Sequence, residues 1–316
     1  MSHRLKTCGA AAVLLLLLTL LSSCGQPTVP DETATDYNQY IPSHGVTAYT
    51  KDLYIFFDSG RLFYVGRSQP SQLFPLCFQA DCDHKNSSCT AWLNTPSRSI
   101  YAAGDNLYYI DADKDAKPVL YRMDLSGGGR ELVKSLNILN EESWPGISSL
   151  GYSFRVYGSY LAIELNLLQE DSWQHKIYLT GIDSKDEGVF LFGEEGDSDK
   201  SYIAIEFREN WLFVTEKNAA DGTNTLWGYN FTTQEAVPLV EGWDISNCFT
   251  VQDGILYWAV TGDGVYSMDM EKKSVTKHRS FDPVSEYGAA AYDDQYLYLT
   301  NAIRYMDSQG TVPAEE

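Results

Sequence analysis

Four soft donors fall within 13 residues of this 316-residue chain, as Cys77-x4-Cys82-x-His84-x4-Cys89 in LCFQADCDHKNSSC. Thiolates and an imidazole at short spacings are what a tetrahedral zinc takes. The spacing departs from paired C-x2-C knuckles, so a second chemistry stays open. With Cys248 the set becomes four cysteines, which can pair as disulfides in three ways. An oxidising compartment puts a disulfide staple first, a structural zinc second and free thiols third. A catalytic metal would need an open coordination position that four protein donors do not leave.

The other candidates are weaker. Asp111, Asp113 and Asp115 (DADKD) have the alternate spacing of a calcium loop. The glycine at loop position 6 is replaced by Ala116 and the acid at position 12 by Arg122, so the run reads as an acidic hairpin tip. Glu194, Glu195, Asp197 and Asp199 read as a solvated loop. The chain has no G-x-S-x-G, and His44, His84, His175 and His278 pair with no Ser or Cys motif in the sequence. Carboxylates are too numerous to nominate a glycosidase pair, because their separation is set in three dimensions. No catalytic residue is assigned.

The N-terminus carries an address. Arg4 and Lys6 precede a 12-residue apolar run, Ala10 to Leu21, too short to span a bilayer comfortably and right for a signal peptide. It ends in Leu-Ser-Ser-Cys (21–24), which resembles a bacterial lipobox. The resemblance implies cleavage after residue 23, acylation of Cys24 with palmitate-type chains, and anchoring at the outer face of a bacterial cell membrane. Residues 24–44 are then the lipidated cysteine and a polar tether with three prolines, whose coil would span roughly 25 Å. Loss of the two leader bases takes the formal charge from −20 to −22. So acidic a chain is repelled by nucleic acid, which is excluded as a partner.

Residues 45–313 must position the chemistry, and they repeat. KDLYIFF, GDNLYYI, GSYLAIE, ENWLFVT, DGILYWAV and DQYLYLT align on Leu53, Leu107, Leu161, Leu212, Leu256 and Leu297, at spacings of 54, 54, 51, 44 and 41 residues. Each is rich in the aromatic and β-branched types of a pleated surface. A second strand follows most of them. The cleanest copy is 104–133, with strand NLYYI, a polar loop, strand VLYRMDL with Val119, Tyr121 and Met123 on one face, and a SerGlyGlyGly turn. Three to four strands every 40–55 residues is the period of propeller blades. The expectation is an all-β propeller, most simply of six blades. Its last blade is either short or completed by an N-terminal strand such as GVTAYT (45–50).

LYRMDLSGG (120–128), with VYSMDM and IRYMDSQG as degenerate copies, resembles the TolB-like β-propellers of exported bacterial lipoproteins grouped as domains of unknown function. The resemblance covers about 45–310 and implies the fold and no activity. A similar Cys…Cys-x-His…Cys pattern accompanies those propellers. The expected role is a non-catalytic binding or scaffold module for a protein or glycan at the cell surface. The alternative is a glycan-active hydrolase or lyase using carboxylates on one face. Aromatics on strands read first as core, so no sugar site is assigned to Trp or Tyr.

Overall fold

The computed structural model describes residues 47–50, 52–94, 99–169, 172–185, 187–193, 199–242, 249–260, 263–280, 289–292 and 297–300. The signal sequence, Cys24, the tether, Cys248, the 194–198 acids and the IRYMD copy lie outside the described residues. No helix among the described residues is long and apolar enough to cross a membrane.

The chain is a β-propeller. Blade 1 holds β1 (Thr47–Tyr49), β2 (Leu53–Asp58), β3 (Arg61–Gly66) and β4 (Gln69–Pro75). Blade 2 holds β5 (Ile100–Ala103), β6 (Asn106–Ala112), β7 (Pro118–Asp124) and β8 (Glu131–Ser135). Blade 3 holds β9 (Ile147–Tyr157), β10 (Tyr160–Gln169), β11 (Ser172–Gly181) and β12 (Val189–Phe192). Blade 4 holds β13 (Lys200–Arg208), β14 (Trp211–Asn218), β15 (Asn224–Asn230) and β16 (Glu235–Glu241). Blade 5 holds β17 (Phe249–Gln252), β18 (Ile255–Val260), β19 (Gly264–Asp269) and β20 (Ser274–Ser280). A last pair, β21 (Ala289–Tyr292) and β22 (Leu297–Thr300), forms a two-stranded sheet.

Every four-stranded sheet is an antiparallel meander in chain order. The innermost strands meet their neighbours, β1 against β5, β5 against β9, β9 against β13 and β17 against β21. The six aligned leucines all fall on the second strand of their sheets. In blades 2, 3 and 4 that strand is covered on both faces by adjacent blades and buries most of its side chains. In β6, Leu107 to Asp111 are all buried. β7 splits the same way: Leu120 enters the core shared with blade 3, whereas Met123 and Tyr121 enter the core shared with blade 1. Strict polar-out alternation is therefore lost here, as in any strand packed on both sides.

Two expectations are corrected. Thr47–Tyr49, from GVTAYT, pairs with β2 as the inner edge of blade 1, so it is not what completes the last sheet. Asp111 is not part of a solvated tip: it is buried, and only the Asp113 end behaves as a turn, its carboxylate accepting from the backbone N–H groups of Asp115 and Lys117.

One buried carboxyl makes stability pH-dependent. Burial pushes Glu164 of β10 up from the ordinary carboxylate range, opposed by hydrogen bonds from Ser153 and Asn166 and by the charge of Arg155. Its folded value then exceeds its unfolded value. The stabilisation is full below about pH 4.3 and is lost as pH rises through the folded value. Glu164→Gln keeps the neutral shape. It will raise the melting temperature at about pH 7.5 and leave it nearly unchanged at about pH 4. Equal shifts at both pH values would show that the carboxyl does not titrate inside the blade 3–blade 4 interface.

Candidate metal centre

The segment 76–94 leaves β4 and returns along the start of β3. Leu76 N–H donates to Leu62 O, Leu62 N–H to Ala91 O and Leu93 N–H to Gly60 O, and Arg61 and Trp92 form a bridge. The loop is thus a wedge between blades 1 and 2. Its apolar members Leu76, Cys89, Ala91 and Leu93 join the core made by Ile55, Leu62, Leu107, Tyr109 and Met123. Short polar residues shape the excursion. Asp83 accepts from Lys85 N–H, and Asn86 accepts from Ser88 N–H at 2.9 Å, two local turns of the kind Asx side chains make.

These turns converge the donors. One ligand atom from each of Cys77, Cys82, His84 and Cys89 lies within 4.8 Å of all the others. A zinc tetrahedron with Zn–S of ~2.3 Å has edges of ~3.8 Å, so the set needs only small closure. The three cysteines are free thiols, with Cys89 buried and the other two half-buried. His84 takes φ 56°, the left-handed region that costs a non-glycine residue energy. Arg61 Nη1 donates to its carbonyl at 3.0 Å and holds it there, and its Nδ1 comes within 3.4 Å of Cys89 Sγ.

Blade 2 supplies the seat. Gly127 lies so close that a Cβ would stand 2.5 Å from Leu76 O and 2.8 Å from Cys77 N. The side chain of Phe78 covers Gly128. Arg130 then ties down the returning limb. Its Nη1 donates to Trp92 O at 3.0 Å and its Nη2 to Asp111 Oδ2 at 2.9 Å, with the guanidinium 4.4 Å over the Tyr121 ring. Asp111 completes the lock by accepting from Asn94 N–H at 3.0 Å and Ala112 N–H at 2.8 Å.

The thiols are electrostatically unequal. Burial works against ionisation of Cys77, but hydrogen bonds from Thr90, the Gln79 and Thr90 backbones and Cys89 outweigh it and hold the thiol down at about 6. Cys89 is pushed up to about 12 by burial, against a backbone bond from Ala91 and with Cys77 and Cys82 adding to the rise. One thiolate therefore forms readily, and collecting three in so small a space requires a cation.

No family model and no curated protein sequence matches the chain. Solved structures do. The chain is similar to an oligogalacturonate lyase from Vibrio parahaemolyticus, at 10% identity over 73% of this chain and 63% of that one, TM-score 0.45. It is similar to a putative TolB from Agrobacterium tumefaciens, at 13% identity over 74% and 79%, TM-score 0.41. A prolyl endopeptidase aligns over 94% of this chain and 45% of its own, at 12% identity and TM-score 0.50. The chain spans under two thirds of the length of the oligogalacturonate lyases it matches, 62% and 63%. At these identities the likeness bears on fold alone.

Of the sequence candidates, the Cys77, Cys82, His84 and Cys89 donors are brought together, while Cys24 and Cys248 lie outside the described residues. One contact went unread. Ser267 Oγ and His278 Nε2 are 2.7 Å apart across β19 and β20, a cross-strand neighbourhood with no local motif. Among the described residues no carboxylate bonds to that imidazole, so a relay is not assembled.

Proposed function

We propose that the chain is an exported, lipid-anchored propeller that serves as a non-catalytic binding module, with a structural zinc closing the wedge between its first two blades. The convergence of three thiols and one imidazole carries the metal in this reading. A disulfide would use two sulfurs and leave His84 in a strained conformation with no task, whereas a tetrahedral zinc uses all four donors. Four protein ligands leave no open position for water or substrate, which is the mark of a structural rather than a catalytic site. The metal would fix coordination of a loop otherwise held by turns, and Arg61 would orient His84 from behind. Lipidation at Cys24 would place the domain at the cell surface.

Elemental analysis of the purified protein with thiol titration under denaturing conditions tests the metal. About one zinc per chain with reduced Cys77, Cys82 and Cys89 is expected. Metal-free protein with a Cys77, Cys82 or Cys89 disulfide overturns it. In cells, Cys24→Ala will shift the protein from the membrane to the soluble fraction, and unchanged fractionation would overturn the anchor.

A further inference from the structure

Blade 3 departs from the other copies in length. Its first three strands have 11, 10 and 10 residues, against 4, 7 and 7 in blade 2 and 9, 8 and 7 in blade 4. At ~3.4 Å per residue the two to three residues by which β10 and β11 exceed their blade 4 counterparts carry the ladder ~7–10 Å further.

The face of this overhang turned toward blade 4 changes character along its length. Ala162 pairs with Leu179 in the shared core. Then come Glu164 opposite Ile177, Asn166 opposite His175 and Leu168 opposite Trp173, all on one face by the period of two. Ser153 Oγ donates to Glu164 Oε2 at 3.2 Å, and Asn166 also hydrogen-bonds the carboxyl, which leaves its amide oxygen pointing elsewhere. Asn166 Oδ1 and His175 Nδ1 are both buried without a partner. Adjacent orphaned atoms of this kind mark a place whose hydrogen bonding something else completes.

The row ends at a cleft of about 490 Å³ between the overhang and blade 4, lined by Trp173, His175, Asp199, Lys200, Lys217 and Asn224 among others. Trp173 is 49% exposed, a large aromatic face beside amides and hydroxyls. The charges cancel. Lys200 is engaged by Glu216 at 3.4 Å, and Asp199 offsets Lys217. Burial lowers the His175 pKa, so its ring is neutral and one nitrogen accepts. An ion finds no net charge here, and a purely apolar ligand would strand the polar groups. A ligand with apolar ring faces and many hydroxyls meets both demands, and the volume suits a small ligand.

We propose that the cleft between the blade 3 overhang and blade 4 binds a neutral oligosaccharide, stacked on Trp173 and hydrogen-bonded to His175. Ser153, Glu164 and Asn166 are positioning residues behind the imidazole. This inference rests on the binding-module reading and names its ligand class.

The test titrates the full mature protein, followed by calorimetry and tryptophan fluorescence. The probes are four neutral hexaoses, of β-1,4-glucose, β-1,3-glucose, α-1,4-glucose and β-1,4-mannose, with hexagalacturonate as the anionic comparison. At least one neutral hexaose is expected to bind at millimolar concentration or below, more tightly than hexagalacturonate. Trp173→Ala and His175→Ala will each weaken it by about tenfold or more, Trp173→Phe much less, and Trp144→Ala on the opposite side of the blade not at all. Preference for hexagalacturonate, or no binding by any neutral hexaose, overturns the ligand class. Binding that survives Trp173→Ala and His175→Ala overturns this site while leaving the binding-module reading standing. Circular dichroism matching the wild type excludes misfolding as the cause of a loss.

Discussion

Arg130→Ala will lower stability by about 3–5 kcal/mol, seen as a fall in urea midpoint at unchanged slope. The Asp111 side chain is fully buried and Arg130 is only 23% exposed, so the alanine takes the ion-pair partner from a carboxylate buried inside the blade 1–blade 2 interface, leaving it the backbone N–H groups of Asn94 and Ala112. The same change removes the guanidinium that holds Trp92 O and covers Tyr121. The loop carrying Cys89 loses its tie to blade 2 at its C-terminal limb. Asp111→Asn removes the charge and keeps most of the shape. The double variant Asp111→Asn with Arg130→Met should therefore be more stable than Arg130→Ala alone, because breaking a buried pair costs more than replacing it. A loss below about 1 kcal/mol for Arg130→Ala would place Asp111 in contact with water.

This ion pair shows what the sequence could and could not convey. The blades were legible because the second strands of blades 2 to 5 pack against neighbours on both faces and so carry long, mostly apolar runs. Leu107, Leu161, Leu212 and Leu256 are all fully buried. The donor cluster was legible because its four residues are close in the chain. Asp111 was not: DADKD looks like one acidic tip, and only a partner 19 residues away divides it into a buried acid and an exposed turn. The row Ser153, Glu164, Asn166 and His175 comes from three strands, joined by a register that no local spacing encodes. The cleft it serves lies where blade 3 outgrows the repeat. Repetition identifies scaffold, so sites fall where repetition fails.

The glycines of SGGG test how far the scaffold serves the cluster. Gly127 and Gly60 have nearly equal positive φ, 85° and 82°, so alanine meets the same backbone strain at both, about 1 kcal/mol or somewhat more. Their surroundings differ. A Cβ at Gly60 meets nothing within 4 Å, whereas at Gly127 it stands 2.5 Å from Leu76 O and 2.6 Å from Leu76 C. Those are backbone atoms and cannot swing aside. Gly127→Ala must push the Leu76–Cys77 backbone away from blade 2, adding about 1–3 kcal/mol of overpacking strain to the local cost. The expected order is therefore Gly60→Ala mild and Gly127→Ala severe, by about 2–4 kcal/mol in total. Leu76 is fixed at its other side by the hydrogen bond to Leu62 O, so the displacement passes into Cys77. Gly127→Ala should then speed the reaction of Cys77 with a thiol reagent, and Gly60→Ala should not. Equal destabilisation by the two would mean that the turn supplies only its own conformation. A larger loss at Gly127, with Cys77 exposed, makes the turn of blade 2 part of the cluster that blade 1 carries.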